Sequence, residues 1–190
     1  LVAELNHRVK NTLATVASIA RQSFARGRSV DEALKSFEGR LRALAQTHGR
    51  LAESSWNGAS LEQMLADELA PYRSQEGDNI KLSGCDVSLG PRSAVVIGMA
   101  LHELATNAAK YGALSRKGGR LSVRWSMEGE PRTLRLDWVE SGGPPVTLPS
   151  RSGFGRLLLE HALKSDLRGQ VKLQFLPQGL QCLIVGNLEN

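Results

Sequence analysis

Two apolar seams in the first 51 residues constrain the fold of this chain more than any other feature of it. Val2, Leu5, Val9, Thr12, Val16, Ile19 and Ser23 recur at alternating spacings of three and four, and Leu13, Ala20 and Phe24 widen the row. Val30, Leu34, Phe37, Leu41, Leu44, His48 and Leu51 recur at four and three. Both are heptad patterns, so each predicts a long amphipathic helix. Gly27, Arg28 and Ser29 interrupt the pattern, and Asp31 places an acidic residue in the first turn of the second helix, where the helix dipole favours it. A short break between two long helices predicts an antiparallel hairpin. One hairpin buries little alone. It either packs on the rest of the chain or pairs with a second copy as a four-helix bundle.

The remainder follows a different rhythm. Residues 54–59, Ser-Ser-Trp-Asn-Gly-Ala, read as a linker. Leu61–Leu69 and Phe154–Asp166 have helical spacing, and Pro91 opens a long helix to about Ala113. Ile80–Ser83 and Val87–Leu89 read as short strands. Leu121–Ser126 and Thr133–Val139 alternate apolar and polar residues, as half-buried strands do. Gln170–Leu176 and Leu180–Val185 form two more strands around a Pro177-Gln178-Gly179 turn. The Gly, Pro and Ser-rich residues 141–153 form a loop. The expected fold class is α+β: a two-helix hairpin, residues 1–56, then an α/β sandwich, residues 57–190, with helices on one face of a mixed or antiparallel sheet. Of the 190 residues, 41% are hydrophobic, enough for a real core.

Composition excludes several classes. No run approaches the apolar length of a membrane span, and nothing at the start reads as a secretory signal. The chain begins at Leu1 with helical periodicity already running, as a piece of a longer protein would. Cys85 and Cys182 are isolated, without metal-ligand or CxxC spacing, and fit small core residues in a reducing cytoplasm. Residues 1–56 hold nine Lys or Arg against five Asp or Glu, and the rest fifteen against fourteen. The basic charges are spread, with no aromatic platform or zinc pattern, so nucleic acid is not the expected ligand. An acidic protein partner suits such a surface.

Three constellations carry chemistry. In the long helix, Glu103, Asn107 and Lys110 fall within about 60° of one another. Ile97, Leu101, Leu104 and Ala108 form an apolar stripe about 120° away. Glu and Asn are oxygen donors suited to Mg²⁺ and its waters, and Lys is a point charge suited to phosphate. Trp138-Val139-Glu140-Ser141-Gly142-Gly143 ends a strand with an acceptor and two glycines, which let backbone approach a ligand closely. Gly153-Phe154-Gly155 feeds a predicted helix whose free N–H groups suit phosphate. No GxxxxGK[ST] run is present, so a P-loop is excluded.

The order of these pieces resembles the Bergerat-type ATP-binding domain of histidine kinases. His102-Glu103-Leu104 with Asn107 is similar to the N box, Trp138–Gly143 to the G1 box, and Gly153–Gly155 to the G2 box. More narrowly, the chain resembles the HWE subfamily, whose signature is a His in the N box and Trp-x-Glu in the G1 box, here His102, Trp138 and Glu140. Its phosphoacceptor segment is similar to Glu4-Leu5-Asn6-His7-Arg8-Val9-Lys10-Asn11.

The resemblance implies a sensor histidine kinase core that uses ATP and Mg²⁺ to phosphorylate His7. Asn107 would bind Mg²⁺, and Glu103 would orient its water or act as a base. Lys110 would approach phosphate, with Tyr111 beside it. Glu140 stands where other histidine kinases have an Asp that reads the adenine amino group. Gly142 and Gly143 would shape the pocket, and Gly153, Phe154 and Gly155 would flank the triphosphate. Packing is the expected role of Trp138, and helical geometry turns His102 away from the Glu103–Asn107 face. His7 lies about 160° from its seam, so it faces solvent, with Glu4 and Asn11 on the same face to orient the imidazole. The implied partners are a response regulator receiver domain, an upstream sensor domain and a second copy through the hairpin, in the bacterial cytoplasm. Rival readings are a GHKL-type ATPase or anti-sigma-type serine kinase, which need no His7, and a non-catalytic scaffold that binds a regulator.

Overall fold

In the computed structural model, residues 2–24, 29–53, 58–75, 78–129, 132–145 and 168–188 are described. They fall into two compact units, residues 1–46 and 47–190.

The first unit holds α1 (Val2–Ser23) and most of α2 (Val30–Glu53). Ser23 and Arg40 share a buried hydrogen bond of 2.6 Å, and the rings of Phe24 and Phe37 lie 6.2 Å apart. The second helix therefore runs back along the first, as the seams predict. A capping box starts α2: the Ser29 amide donates to the Glu32 carboxylate, and the Glu32 amide to the Ser29 hydroxyl.

The predicted seam of α2 is met in part: Leu44 and Leu51 are buried, and Phe37 and His48 are half-buried. Ala33, Arg40 and Leu44 are buried, whereas Val30, Leu34 and Leu41 are exposed, as are Val9 and Leu13 of α1. Ala33, Phe37, Arg40 and Leu44 are themselves spaced four, three and four. This row shares Phe37 and Leu44 with the predicted seam, and Ala33 and Arg40 take inward positions in place of Leu34 and Leu41.

The second unit begins with the last turns of α2. Then follow β1 (Ala59–Ser60), α3 (Leu61–Leu69), β2 (Ile80–Gly84), β3 (Ser88–Leu89), α4 (Pro91–Lys110), β4 (Arg120–Glu128), β5 (Thr133–Ser141), β6 (Gln170–Leu176) and β7 (Gly179–Asn187). The predicted elements within the described residues all form. The last residue of the segment read as a linker, Ala59, joins Ser60 in an unpredicted strand, because the two find cross-strand partners in Leu89 and Ser88. The Ser60 hydroxyl then caps α3 by accepting from the Gln63 amide. The predicted helix at residues 154–166 lies outside the described residues.

The main sheet has the order β2-β4-β5-β7-β6. Only β2 and β4 run parallel, and the other pairs are antiparallel. Alternation gives β5 an inner row of Leu134, Leu136, Trp138 and Glu140, all buried. The inner faces of β4 and β7 add Leu121, Val123, Trp125, Cys182 and Ile184. Helices α3 and α4 cover this face with Leu61, Leu65, Leu69, Ile97, Leu101 and Leu104 in one continuous core. Each such side chain contributes about 1.5–3 kcal/mol of burial. At Gly98, a Cβ would meet the Thr47 hydroxyl at 2.6 Å and the Met64 methyl at 3.1 Å, so this glycine lets the last turns of α2, from Thr47 on, and α3 seat on α4. Glu140 is the exception in the inner row: a carboxylate ends a run of apolar side chains.

Candidate nucleotide site

The site grows from the end of α4. Its apolar stripe does what the spacing predicts: Ile97, Leu101, Leu104 and Ala108 are all buried. Along the polar face, Glu103 is 7% exposed, and Asn107 and Lys110 are exposed. The carboxylate thus lies at the edge of the core and the amide and amine toward solvent. The helix ends where the amides of Tyr111 and Gly112 both donate to the Asn107 carbonyl, at 2.8 and 3.1 Å. Tyr111 is 73% exposed. A 3-10 turn, Ala113–Ser115, follows at once, so the predicted end near Ala113 is three residues late.

That turn meets β5. The Ala113 amide donates to Glu140 Oε2 at 2.9 Å, and the indole N–H of Trp138 donates to Glu140 Oε1 at 3.0 Å. Both bonds are buried, and Glu140 is only 3% exposed. Burial pushes the Glu140 carboxyl up from its ordinary range, and the two N–H donors oppose this. Next to it, burial and then the Glu140 charge push the Cys182 thiol up to about 12. The geometry needs bare backbone. A Cβ on Gly112 would overlap Glu140 Oε2, and one on Gly143 would lie 2.8 Å from the Ala113 nitrogen. Gly142, between Ser141 and Gly143, has φ +71°, a conformation that favours glycine. The candidate helix and the candidate strand end are therefore joined through one carboxylate.

His102 takes a partner on another element. Its Nδ1 lies 2.8 Å from Glu68 Oε1 of α3, with both side chains largely buried. The family-signature histidine thus ties α4 to α3, away from the Glu103–Asn107 face. Trp138 does more than pack, since its N–H engages Glu140. Sequence reasoning missed Glu68, Gly112 and the Ala113 amide. Gly112 directly after the helix was the one available signal.

Gly153, Phe154 and Gly155 lie outside the described residues, as do the side chains of Glu4, His7 and Asn11, whose backbone belongs to α1. Among the described residues, no group of three or more His, Cys, Asp or Glu is placed to hold a metal ion, and no helix is long and apolar enough to cross a membrane.

Comparison with known proteins points to the family that the motifs resemble. The profile of the HWE histidine kinase family matches residues 4–86. A blue-light-activated histidine kinase of Brucella anthropi is 41% identical over 180 residues, which is 93% of this chain and 36% of that protein. Its counterpart in Brucella ovis is 39% identical over 180 residues, 93% of this chain and 37% of that protein. The chain thus spans little more than a third of the length of these curated relatives. Among solved structures, the blue-light activated histidine kinase of Erythrobacter litoralis superposes with a TM-score of 0.70 at 20% identity, over 98% of this chain and 58% of that one. At that identity the match speaks for the fold.

Proposed function

The chain belongs to the HWE histidine kinase family, and on that premise we propose that it is the core of a sensor histidine kinase. Residues 57–190 would bind ATP, and the hairpin of residues 1–56 would present His7 as acceptor. One observation carries the reading: the Glu140 carboxylate, fixed by the Ala113 amide and the Trp138 indole, couples the end of α4 to the glycine turn after β5. A nucleotide there meets an acceptor for its base and, along α4, oxygen donors and a cation for its phosphates.

The donor set fits Mg²⁺. Glu103 and Asn107 are oxygen donors one helical turn apart, and a hard octahedral ion that keeps several waters needs only one or two protein ligands beside phosphate. Asn107 would hold the ion directly and Glu103 through water. When bound, the ion neutralises charge on the phosphates. Lys110 and Tyr111 would flank them, Gly142 and Gly143 would admit the nucleotide, and Gly153, Phe154 and Gly155 would close over the triphosphate.

In the transfer, a His7 ring nitrogen attacks the γ-phosphorus in line, and the bond from that phosphorus to the β–γ bridging oxygen breaks. ADP leaves, and the imidazole proton passes to Glu4, Asn11-held water or solvent. Catalysis rests mainly on positioning and charge. The phosphoryl group then moves to an aspartate of a response regulator receiver domain. Sensor input would come from an additional domain of the whole protein, in the bacterial cytoplasm. The exposed row of Val30, Leu34 and Leu41 supports a homodimer through the hairpin. Labelling from γ-labelled ATP tests the reading. It should be lost in both Asn107→Ala and His7→Gln, and labelling that survives His7→Gln would overturn it.

A further inference from the structure

We propose that Trp138 sets the base specificity of this site: its indole N–H fixes the Glu140 carboxylate so that the pocket takes a 6-amino purine and turns away a 6-oxo purine. This rests on the reading of Glu140 as the adenine acceptor.

The two residues sit two apart on β5 and both face the core. Trp138 is fully buried, and a buried indole N–H requires an acceptor. A backbone carbonyl can serve, as it does for Trp125, whose N–H donates to the Cys85 carbonyl at 2.7 Å. At Trp138 the same group is directed instead to a carboxylate oxygen. Each Glu140 oxygen then holds one protein donor, Trp138 on Oε1 and Ala113 on Oε2. A carboxylate oxygen has room for two, so acceptor capacity remains for a ligand amino group. Two anchors also fix the terminal torsion, which is otherwise broad.

The anchors act on charge as well as on angle. Burial favours the neutral carboxyl, and the two N–H donors favour the carboxylate. The cross-strand neighbour of Trp138, Cys182, keeps its proton at neutral pH and adds no charge. An ionised Glu140 only accepts, so it pairs with a 6-amino group and repels a 6-oxo group. Removing the indole N–H shifts Glu140 toward the protonated carboxyl, which donates to a 6-oxo group. The Ala113 donor belongs to the backbone and survives any side-chain change, so Trp138 is the adjustable anchor. It is a positioning residue, acting through Glu140.

The test is ATP and GTP affinity, with Mg²⁺, by calorimetry on the full chain. The variants are Trp138→Phe, Trp138 replaced by 3-benzothienylalanine, which keeps the bicycle and lacks the N–H, and Glu140→Gln. Loss of the N–H should lower the ATP-over-GTP preference about tenfold, mainly through weaker ATP binding. Equal weakening of both nucleotides, or an unchanged ratio in the benzothienyl protein, would reduce Trp138 to packing and overturn the inference. Glu140→Gln separates the two levels. If it leaves ATP affinity unchanged, the reading of Glu140 fails and the inference with it. If it weakens ATP while the Trp138 proteins keep their ratio, only the inference fails.

Discussion

Gly112→Ala is the sharpest structural perturbation of this site. The new Cβ would overlap Glu140 Oε2 on one side and lie 2.9 Å from the Ala108 Cα on the other. Ala108 is helix backbone within the core and does not yield, so the carboxylate must move. Its displacement strands two buried donors, the Ala113 amide and the Trp138 indole. A buried donor without an acceptor costs about 1–3 kcal/mol. With partial relaxation, the expected loss is about 2–4 kcal/mol. For a unit of this size that lowers Tm by about 5–15 °C. Gly49→Ala is the matched control. It lies inside α2, and nothing stands within 4 Å of its added Cβ, so it should stabilise by about 0.5–1 kcal/mol. Glu140→Asp withdraws the carboxylate and should return part of the stability lost in Gly112→Ala. The assay is urea and thermal unfolding followed by circular dichroism, with ATP affinity measured in parallel. A Gly112→Ala protein within about 0.5 kcal/mol of wild type, binding ATP normally, would refute the argument that this carboxylate is wedged in place.

Other predictions follow from the same contacts. The Glu140 carboxyl is raised in the folded state above its ordinary 4.5, so the native protein binds more protons than the unfolded chain. Its contribution to stability should therefore fall as pH rises from about 4.5 through the raised folded value, and Glu140→Gln should abolish that slope in unfolding experiments. For the His102–Glu68 pair, His102→Ala and Glu68→Gln should each cost about 1–2 kcal/mol, and the double variant less than their sum by about 1 kcal/mol. Full additivity in that cycle would dissolve the pair. Leu34→Glu with Leu41→Glu should leave folding intact, because both side chains are exposed, and should shift the mass from dimer to monomer in light scattering. An unchanged mass would remove the hairpin from the dimer interface.

Periodicity within one element was legible in the sequence, and pairing between elements was not. The alternation in Thr133–Val139 located β5 and its inner face, and the helical spacing from Ile97 to Ala108 located α4. Both patterns come from one surface meeting one core. The Glu140–Ala113 bond joins a side chain to a backbone amide 27 positions away, and no residue type marks a backbone donor. Glu68 met His102 for the same reason, by an approach of α3 to α4 that neither helix encodes alone. On α2, two overlapping rows satisfied the heptad rule, and hydrophobicity selected Leu34 and Leu41 where packing selected Ala33 and Arg40. The Ser29–Glu32 capping box is also readable in the sequence, since Ser-x-x-Glu precedes the apolar run.

The most direct measurement is where the phosphate goes. After incubation with ATP and Mg²⁺, peptide mass spectrometry under alkaline conditions should place a single phosphoryl group on the peptide containing His7, through a bond that acid destroys and alkali spares. Phosphate on a serine or threonine, or release of ADP with no labelled protein, would contradict the account and give the pocket to a different reaction.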